Sequence, residues 1–291
     1  MITIAIPNYN GGRYLGATLQ SVARNRPYVR FWFQDALSSD GSLQIAQQYC
    51  TEFDRVVSEA DSGQADALNR AFQRMGGDII GFLNSDDLLA EGAAEAVLAA
   101  FEEDPELDIV YGQVEWIDAD GKVTGHHQGD ISTLEEILNI YEVWWNRRQW
   151  VQPEVFWRRP LWDRVGQFNT RYDLAFDYDY WVRCFLAGAN VRKLPRVLAR
   201  FRLHPSQKST RADQASSEIR QIVAETLSTN PSIDPQLTRW LTNMLSYDRY
   251  RLRSVNAKPT FAQVLLANPQ WLSLKPVQHR IWQSLRHRCT G

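Results

Sequence analysis

The sequence predicts an α/β protein: a mostly parallel sheet covered by helices on both faces, followed by a helical C-terminal extension. Three observations predict it. Short apolar runs alternate with helically periodic stretches of 10–15 residues through the first hundred positions. Polar segments follow three of those runs directly, where ligands of parallel sheets bind. Beyond Ala212 the pattern turns helical, interrupted at Pro231, Pro259, Pro269 and Pro276.

The elements follow in order. Ile2-Thr3-Ile4-Ala5-Ile6 reads as a buried strand, and Pro7-Asn8-Tyr9-Asn10-Gly11-Gly12 as a loop. Leu15, Leu19 and Val22 then share one helical face. Val29 to Gln34 is a second strand, and Ser39-Asp40-Gly41-Ser42 opens a helix carrying Leu43, Ile45 and Ala46. Val56-Val57 makes a short third strand, before a helix with Ala67, Leu68, Ala71 and Phe72 inward. Asp78 to Leu83 is the fourth strand, and Ala93 to Phe101 the fourth helix.

From Ile109 the register changes. Val110 to Ile117 alternates, and Asp118-Ala119-Asp120-Gly121 turns it into Lys122 to Gly125, which predicts a hairpin. Glu154 to Trp157 reads as a strand, Asp179 to Leu186 as a helix, and Val197 to Leu203 as a late strand. The expected organisation is a main domain over residues 1–212, its nucleotide-binding half covering 1–108 and its acceptor-side half 109–212. A helical extension fills 213–291.

Composition narrows the class. The length of 291 residues suits one large domain or a domain with an appendage, and 44% hydrophobic content is enough for a substantial core. A formal net charge of -2 offers no overall attraction to nucleic acid. After Asp248, however, no acidic residue occurs, while Arg249, Arg251, Arg253, Lys258, Lys275, Arg280, Arg286 and Arg288 do. Val277, Ile281 and Leu285 share a helical face there. That face suits either docking on the main domain or peripheral contact with an anionic membrane surface. Cys50, Cys184 and Cys289 form neither a disulfide framework nor a metal-ligand spacing, which favours a reducing cytoplasm. The first strand begins at Ile2, leaving no room for a signal peptide, and no apolar run approaches the roughly 20 residues of a membrane-spanning helix. Eleven tryptophans, several between Trp144 and Trp181, fit either a large core or a sugar- or lipid-contacting surface.

The chemistry concentrates in Asn84-Ser85-Asp86-Asp87, directly after the apolar run Ile79 to Leu83. Adjacent carboxylates repel, so such a loop calls for solvent, hydrogen-bond donors or a bound cation. No Gly-x-Gly-x-x-Gly fingerprint and no Gly-Lys-Ser/Thr loop is present. A nucleotide on this sheet therefore needs another device, and a carboxylate-held Mg²⁺ or Mn²⁺ against a diphosphate supplies one. The competing reading makes Asp86 and Asp87 an N-cap pair for the helix at Ala93.

Four blocks carry a resemblance: Thr3 to Asn10; Phe33 to Ser42; Asp61-Ser62-Gly63-Gln64-Ala65-Asp66-Ala67-Leu68-Asn69; and Asn84 to Asp87. In order and spacing they resemble glycosyltransferase family 2, whose fold is GT-A, and further likeness runs to about residue 210. The resemblance implies an inverting enzyme that moves a sugar from a nucleoside diphosphate, most commonly of uridine or deoxythymidine, to a hydroxyl of a saccharide or lipid-linked acceptor. Cell-surface polysaccharide or glycolipid assembly on the cytoplasmic side is the family's habit.

The same resemblance assigns roles. Pro7, Asn8, Tyr9 and Asn10 contact the nucleoside, and Asp35 hydrogen-bonds its base. Gln64, Asp66, Asn69 and Ser85 lie in the donor-lining blocks. Asp86 ligates the divalent ion, with Asp87 beside it and His204, of Arg202-Leu203-His204, approaching the metal or diphosphate. Asp177, in Phe176-Asp177-Tyr178-Asp179, is the base that deprotonates the acceptor. Asp179 shares its face only if the chain there is extended. Gln152 to Arg159 falls on the acceptor side, where Arg158 or Arg159, and later Arg202, suit phosphate contact. Three positions depart from the family: Asn84 for the first Asp of Asp-x-Asp, Ala36 for a common acid, and Phe176 for a common Glu. They lend weight to a catalytically silent sugar-nucleotide-binding or scaffolding protein of the same fold. A sugar-phosphate nucleotidyltransferase is disfavoured, because Pro7 to Asn10 is not a Gly-rich basic loop.

Overall fold

A computed structural model describes residues 1–252 and 261–289, the side chains of 284–289 excepted. The chain divides into two compact units, residues 1–219 and 220–291. The boundary anticipated at 212 is the first residue of a helix that runs on to Thr229.

The first unit opens as the alternation predicts. β1 (Ile2–Asn8), α1 (Gly12–Ala23), β2 (Val29–Asp35), α2 (Ser42–Tyr49), β3 (Arg55–Ser58), α3 (Gln64–Arg74) and β4 (Ile79–Phe82) succeed one another. β1 pairs in parallel with β2 and β4, and β2 with β3. β1 is buried along its whole length, as a strand covered on both faces must be. A two-residue strand, β5 (Leu88–Leu89), then precedes α4 (Ala93–Glu103). β6 (Ile109–Ile117) and β7 (Val123–Gln128) form the expected hairpin.

A short helix, α5 (Leu134–Leu138), leads to β8 (Val155–Arg158) and α6 (Arg159–Val165). Then come α7 (Phe176–Leu186), β9 (Val191–Arg202) and α8 (Ala212–Thr229). Among the described residues nine strands make one sheet, in the order β3-β2-β1-β4-β8-β6-β9-β5, with β7 on the outside of β6. The sheet is parallel from β3 to β4. β8 enters antiparallel, whereas β6 and β9 run parallel to each other.

β5 is the piece that periodicity does not reveal. Two residues carry no alternation to read, yet Leu88 and Leu89 pair with Arg200 and Ala199 of β9. This pairing ties the Asn84–Asp87 loop to the far edge of the sheet. α7 also starts earlier than Asp179, at Phe176, so Asp177 and Asp179 both lie in its first turn and diverge. Gly92 stands at the start of α4, so neither Asp86 nor Asp87 caps that helix.

The tryptophans between Trp144 and Trp181 belong to the core, except the exposed Trp145. Trp150, Trp157 and Trp181 are fully buried, and Trp157, Trp162, Phe168 and Tyr180 meet with ring centroids 4.9–6.4 Å apart. Phe82 and Phe176 stack at 6.0 Å where this cluster reaches the cleft. The rings thus brace the end of β4 against the start of α7.

Within the second unit, α9 (Pro235–Leu252), α10 (Phe261–Ala267) and α11 (Lys275–Cys289) follow the proline interruptions, except that Pro276 sits inside the first turn of α11. Asp248 pairs with Arg220 at 3.0 Å, and Trp271, Leu274 and Val277 are buried. Arg253, Lys258 and Pro259 lie outside the described residues, as do the side chains of Leu285, Arg286, His287, Arg288 and Cys289. No described helix is long and apolar enough to cross a membrane.

Gly11 shows how tightly the loops are set. A Cβ there would clash with both Asn8 Oδ1 and Ser85 Oγ. Gly11→Ala should therefore destabilise the fold by roughly 1–3 kcal/mol, read as a lowered midpoint in urea unfolding with an unchanged slope.

Candidate active site

A cleft of about 770 Å³ opens at the carboxyl ends of β1, β2 and β4. Pro7, Asn8, Tyr9, Ala36, Gln64, Asn84, Ser85, Asp86, Asp87, Gln152, Asp173, Phe176, Asp177 and Lys208 line it. Residues as distant in sequence as Pro7 and Lys208 thus line one cleft.

At one end, the loops after β1 and β2 are laced together. Asn8 Nδ2 donates to Asp35 Oδ1 at 2.9 Å and to Ser38 Oγ at 3.1 Å. Asp35 Oδ2 accepts from the Ser38 amide at 3.0 Å and from Ser58 Oγ at 2.7 Å. Burial opposes ionisation of Asp35, but hydrogen bonds from Ser38, Ser58 and Asn8 outweigh it and hold the carboxyl below its ordinary range. Asn10 contributes backbone and side-chain bonds to Ser38 and Ser39, from a left-handed φ of 52°. Asp35 is 0% exposed and holds Asn8 from below rather than facing open space. Asn8 Oδ1 is left as a buried acceptor without a partner, and Tyr9 is 72% exposed beside it.

The acidic loop solves its repulsion by division of labour. Asp87 is 1% exposed, with Oδ1 accepting from the Arg202 amide at 2.9 Å and Oδ2 facing Asn84 Nδ2 at 3.4 Å. Burial, reinforced by the Asp86 charge, pushes its carboxyl well above the ordinary carboxylate range. Asp86 points into the cleft, with Oδ2 2.9 Å from His204 Nε2. His204 packs on the Tyr14 ring, centroids 4.8 Å apart, and the Arg202 guanidinium lies 4.7 Å from the same ring. Arg202 also donates to the carbonyls of Asp86, Asp118 and Ala119. Thr18 Oγ1 bonds the Ser85 carbonyl at 2.9 Å, fastening the loop to α1 from the other side.

Among the described residues, no group of three or more His, Cys, Asp or Glu side chains converges into a ready-made cation cage. The donor set still fits a divalent ion. Among the described residues no hydrogen bond reaches Asp86 Oδ1, and His204 is adjacent to Oδ2. Mg²⁺ and Mn²⁺ sites of this kind take one or two carboxylates and complete their shell with phosphate oxygens and water.

Across the cleft stands Asp177, partly buried at the start of α7. Burial pushes its carboxyl up to about 6. Lys208 pulls the other way, and Glu218 adds to the rise. Glu218 also fixes the approach to α7, because its Oε2 accepts from the amides of Leu174 and Ala175 at 2.8 and 2.9 Å. Lys208 bridges Asp173 at 2.6 Å and Gln64 at 3.5 Å.

Several expected residues lie elsewhere. Arg158 is spent on the carbonyls of Phe101, Asp104 and Leu107, and Arg159 on those of Phe72 and Met75, so neither guanidinium faces the cleft. Asp179 pairs with Arg183 at 2.8 Å on the buried side of α7. Asn69 exchanges two hydrogen bonds with the Phe168 backbone. Asp66 closes the Ser62–Gly63 turn and pairs with Arg70 at 3.0 Å. Conversely, Ser38, Ser58, Gln152, Asp173, Lys208 and Glu218 take part without having been singled out. The polar residues beside matched blocks were the available hint for the first three. Nothing in the sequence places the last two near residue 177.

Asp177 binds its proton more tightly folded than unfolded, where its pKa is the ordinary 3.8. The folded state therefore holds the extra proton between those values, and stability falls as pH rises through that window toward about 6. Asp177→Asn should accordingly melt higher than wild type at pH 8 and converge with it near pH 4, as followed by circular dichroism.

The family model described as "Glycosyl transferase family 2" matches residues 3–177. A Mycobacterium tuberculosis protein named "PGL/p-HBAD biosynthesis glycosyltransferase" is 31% identical over 204 residues, covering 68% of this chain and 75% of its own. Residues 1–349 of S. aureus TarS, solved with UDP-GlcNAc, share 16% identity at a TM-score of 0.65, over 88% of this chain and 74% of that one. The longer TarS chain is spanned only to 47% of its length. A Pyrobaculum calidifontis mannosyltransferase, solved with GDP-Man and Mn²⁺, gives a TM-score of 0.60 at 18% identity, over 98% and 84% of the two chains. These structures establish the GT-A fold, and the chain belongs to glycosyltransferase family 2 and is a glycosyltransferase.

Proposed function

We propose that this glycosyltransferase is a divalent-metal-dependent, inverting enzyme that uses a nucleoside-diphosphate sugar and a hydroxyl acceptor, in assembly of a surface polysaccharide or glycolipid. One observation carries the reading: Asp86 and Asp177, from opposite halves of the domain, line one cleft of donor size. Tyr9 offers a stacking face to the base, and Asn8 lines the cleft beside it. Asp35 and Ser38 hold Asn8 in that pose.

Asp86, with His204, would hold Mg²⁺ or Mn²⁺ on the diphosphate, and the ion when bound supplies charge neutralisation for the departing nucleotide. Asp177 takes the proton from the acceptor hydroxyl as that oxygen attacks the anomeric carbon from the face opposite the leaving group. A carboxyl near 6 is ionised at neutral pH yet basic enough to accept the proton. The names of the relatives support a lipid-linked or polymeric acceptor, and the run of basic residues after Asp248 supports peripheral contact with an anionic membrane face. The scaffolding alternative has less support, because Asn84 and Phe176 leave Asp86 and Asp177 in the cleft.

The deciding experiment is product formation from UDP- and GDP-sugars with Mn²⁺. Asp177→Asn should cut kcat by about 10²–10⁴ while nucleotide binding persists. Asp86→Ala should abolish the dependence on Mn²⁺ together with turnover. Wild-type kcat should rise with pH through about 6, as the base loses its proton, and level off above it. A wild-type chain that binds nucleotide but never transfers or hydrolyses a donor overturns the enzyme mechanism.

A further inference from the structure

Asn84 occupies the position where the family's Asp-x-Asp begins, and its surroundings explain the amide. Oδ1 accepts from Gln64 Nε2 at 2.7 Å. Nδ2 faces Gln152 Oε1 at 3.3 Å and Asp87 Oδ2 at 3.4 Å. Gln152 in turn donates to the Phe82 carbonyl at 2.5 Å, which fixes the direction of its amide, and Gln64 Oε1 receives Lys208 at 3.5 Å. The result is a directional chain of donors and acceptors across the cleft floor, from Lys208 through Gln64 and Asn84 to Gln152 and the end of β4.

We propose that Asn84 is a positioning residue, the hub that keys Gln64 and Gln152 and pins the buried Asp87, rather than a weakened cation ligand. The cation contact then falls to Asp86 alone among the residues of this loop.

The argument is one of donor count. Asn84 Oδ1, the atom a cation would need, is already engaged, and Nδ2 is the polar hydrogen donor that both Gln152 Oε1 and Asp87 Oδ2 face. An ionised Asp in its place has acceptors only. It would set a carboxylate against the buried Asp87 carboxyl and against the Gln152 carbonyl oxygen. Turning the Gln152 amide to meet it would forfeit the bond to Phe82. Restoring the family's acidic residue is thus expected to damage the site, the opposite of what a missing metal ligand implies. An exchange has a different outcome. Asn84→Asp combined with Asp87→Asn keeps one donor and one acceptor between the two positions, with polarity reversed, and leaves the Arg202 amide an oxygen to bond.

The inference rests on the donor-site reading above, but its test separates the two. The full chain is melted as wild type, Asn84→Asp, and Asn84→Asp/Asp87→Asn, each alone and with UDP or GDP over a Mn²⁺ titration. Asn84→Asp should melt several degrees below wild type, and the exchange variant should recover part of that loss, because the contact with residue 87 is restored while the Gln152 carbonyl oxygen still faces an acceptor. The Mn²⁺ concentration giving a half-maximal nucleotide shift should stay within about twofold of wild type in the exchange variant, since neither position ligates the ion. If Asn84→Asp melts like wild type, or tightens the Mn²⁺ midpoint about tenfold, Asn84 is a vacant ligand position and the proposal falls. It falls equally if the exchange variant melts no higher than the single variant, including the case in which neither folds. A wild type that no nucleoside diphosphate stabilises sinks the donor-site reading instead, while the melting order of the unliganded variants still decides the network.

Discussion

The structure depends on how a fold accommodates two adjacent carboxylates at the end of a buried strand. Asp86 and Asp87 cannot share one environment without one of them becoming costly. The chain separates them: Asp87 turns inward onto the Arg202 amide, and Asp86 turns outward beside His204. Both partners come from β9 and the loop after it, more than a hundred residues away. Closing the sheet with β9 and β5 is therefore what makes the acidic loop possible, and the two-residue pairing of β5 fixes its exit.

The remaining parts of the cleft repeat that logic. Buried polar groups after β1 and β2 satisfy one another, so that Asn8 is held at the edge of the cleft. At the other end, an aromatic cluster through Phe82 and Phe176 packs β4 against α7, and Glu218 captures the two amides that precede α7. Asp177 is left in a setting that raises its pKa, which a merely structural first-turn acid does not need. Rigid elements on both sides hold reactive groups that the loops alone would not keep in place.

Much of this was legible in the residues. Short apolar runs alternating with period-3.6 stretches mark the parallel half, because its central strands are covered on both faces and its helices bury one. The blocks at residues 7–10, 35–42, 61–69 and 84–87 sit at strand ends, and the cleft includes part of each, the second through Ala36 alone. Asp177 was also readable by likeness. Arg158, Arg159, Asp179, Asn69 and Asp66 were not distinguishable from cleft residues, since polarity does not reveal which way a side chain points. Their carbonyl, arginine and turn partners exist only once distant segments pack.

By itself, then, the sequence determined the order of elements, the parallel character of the first half and the acidic loop after β4, for these follow from local periodicity and from residue type. Tertiary structure alone decided which of the paired acids faces the cleft and that most of the tryptophans between Trp144 and Trp181 build core. It also decided that Asn84 is enclosed by amides, and that Lys208 and Glu218 stand beside Asp177. Those outcomes turn on contacts between residues far apart in the chain, and the direction of a side chain is settled only when its partners arrive.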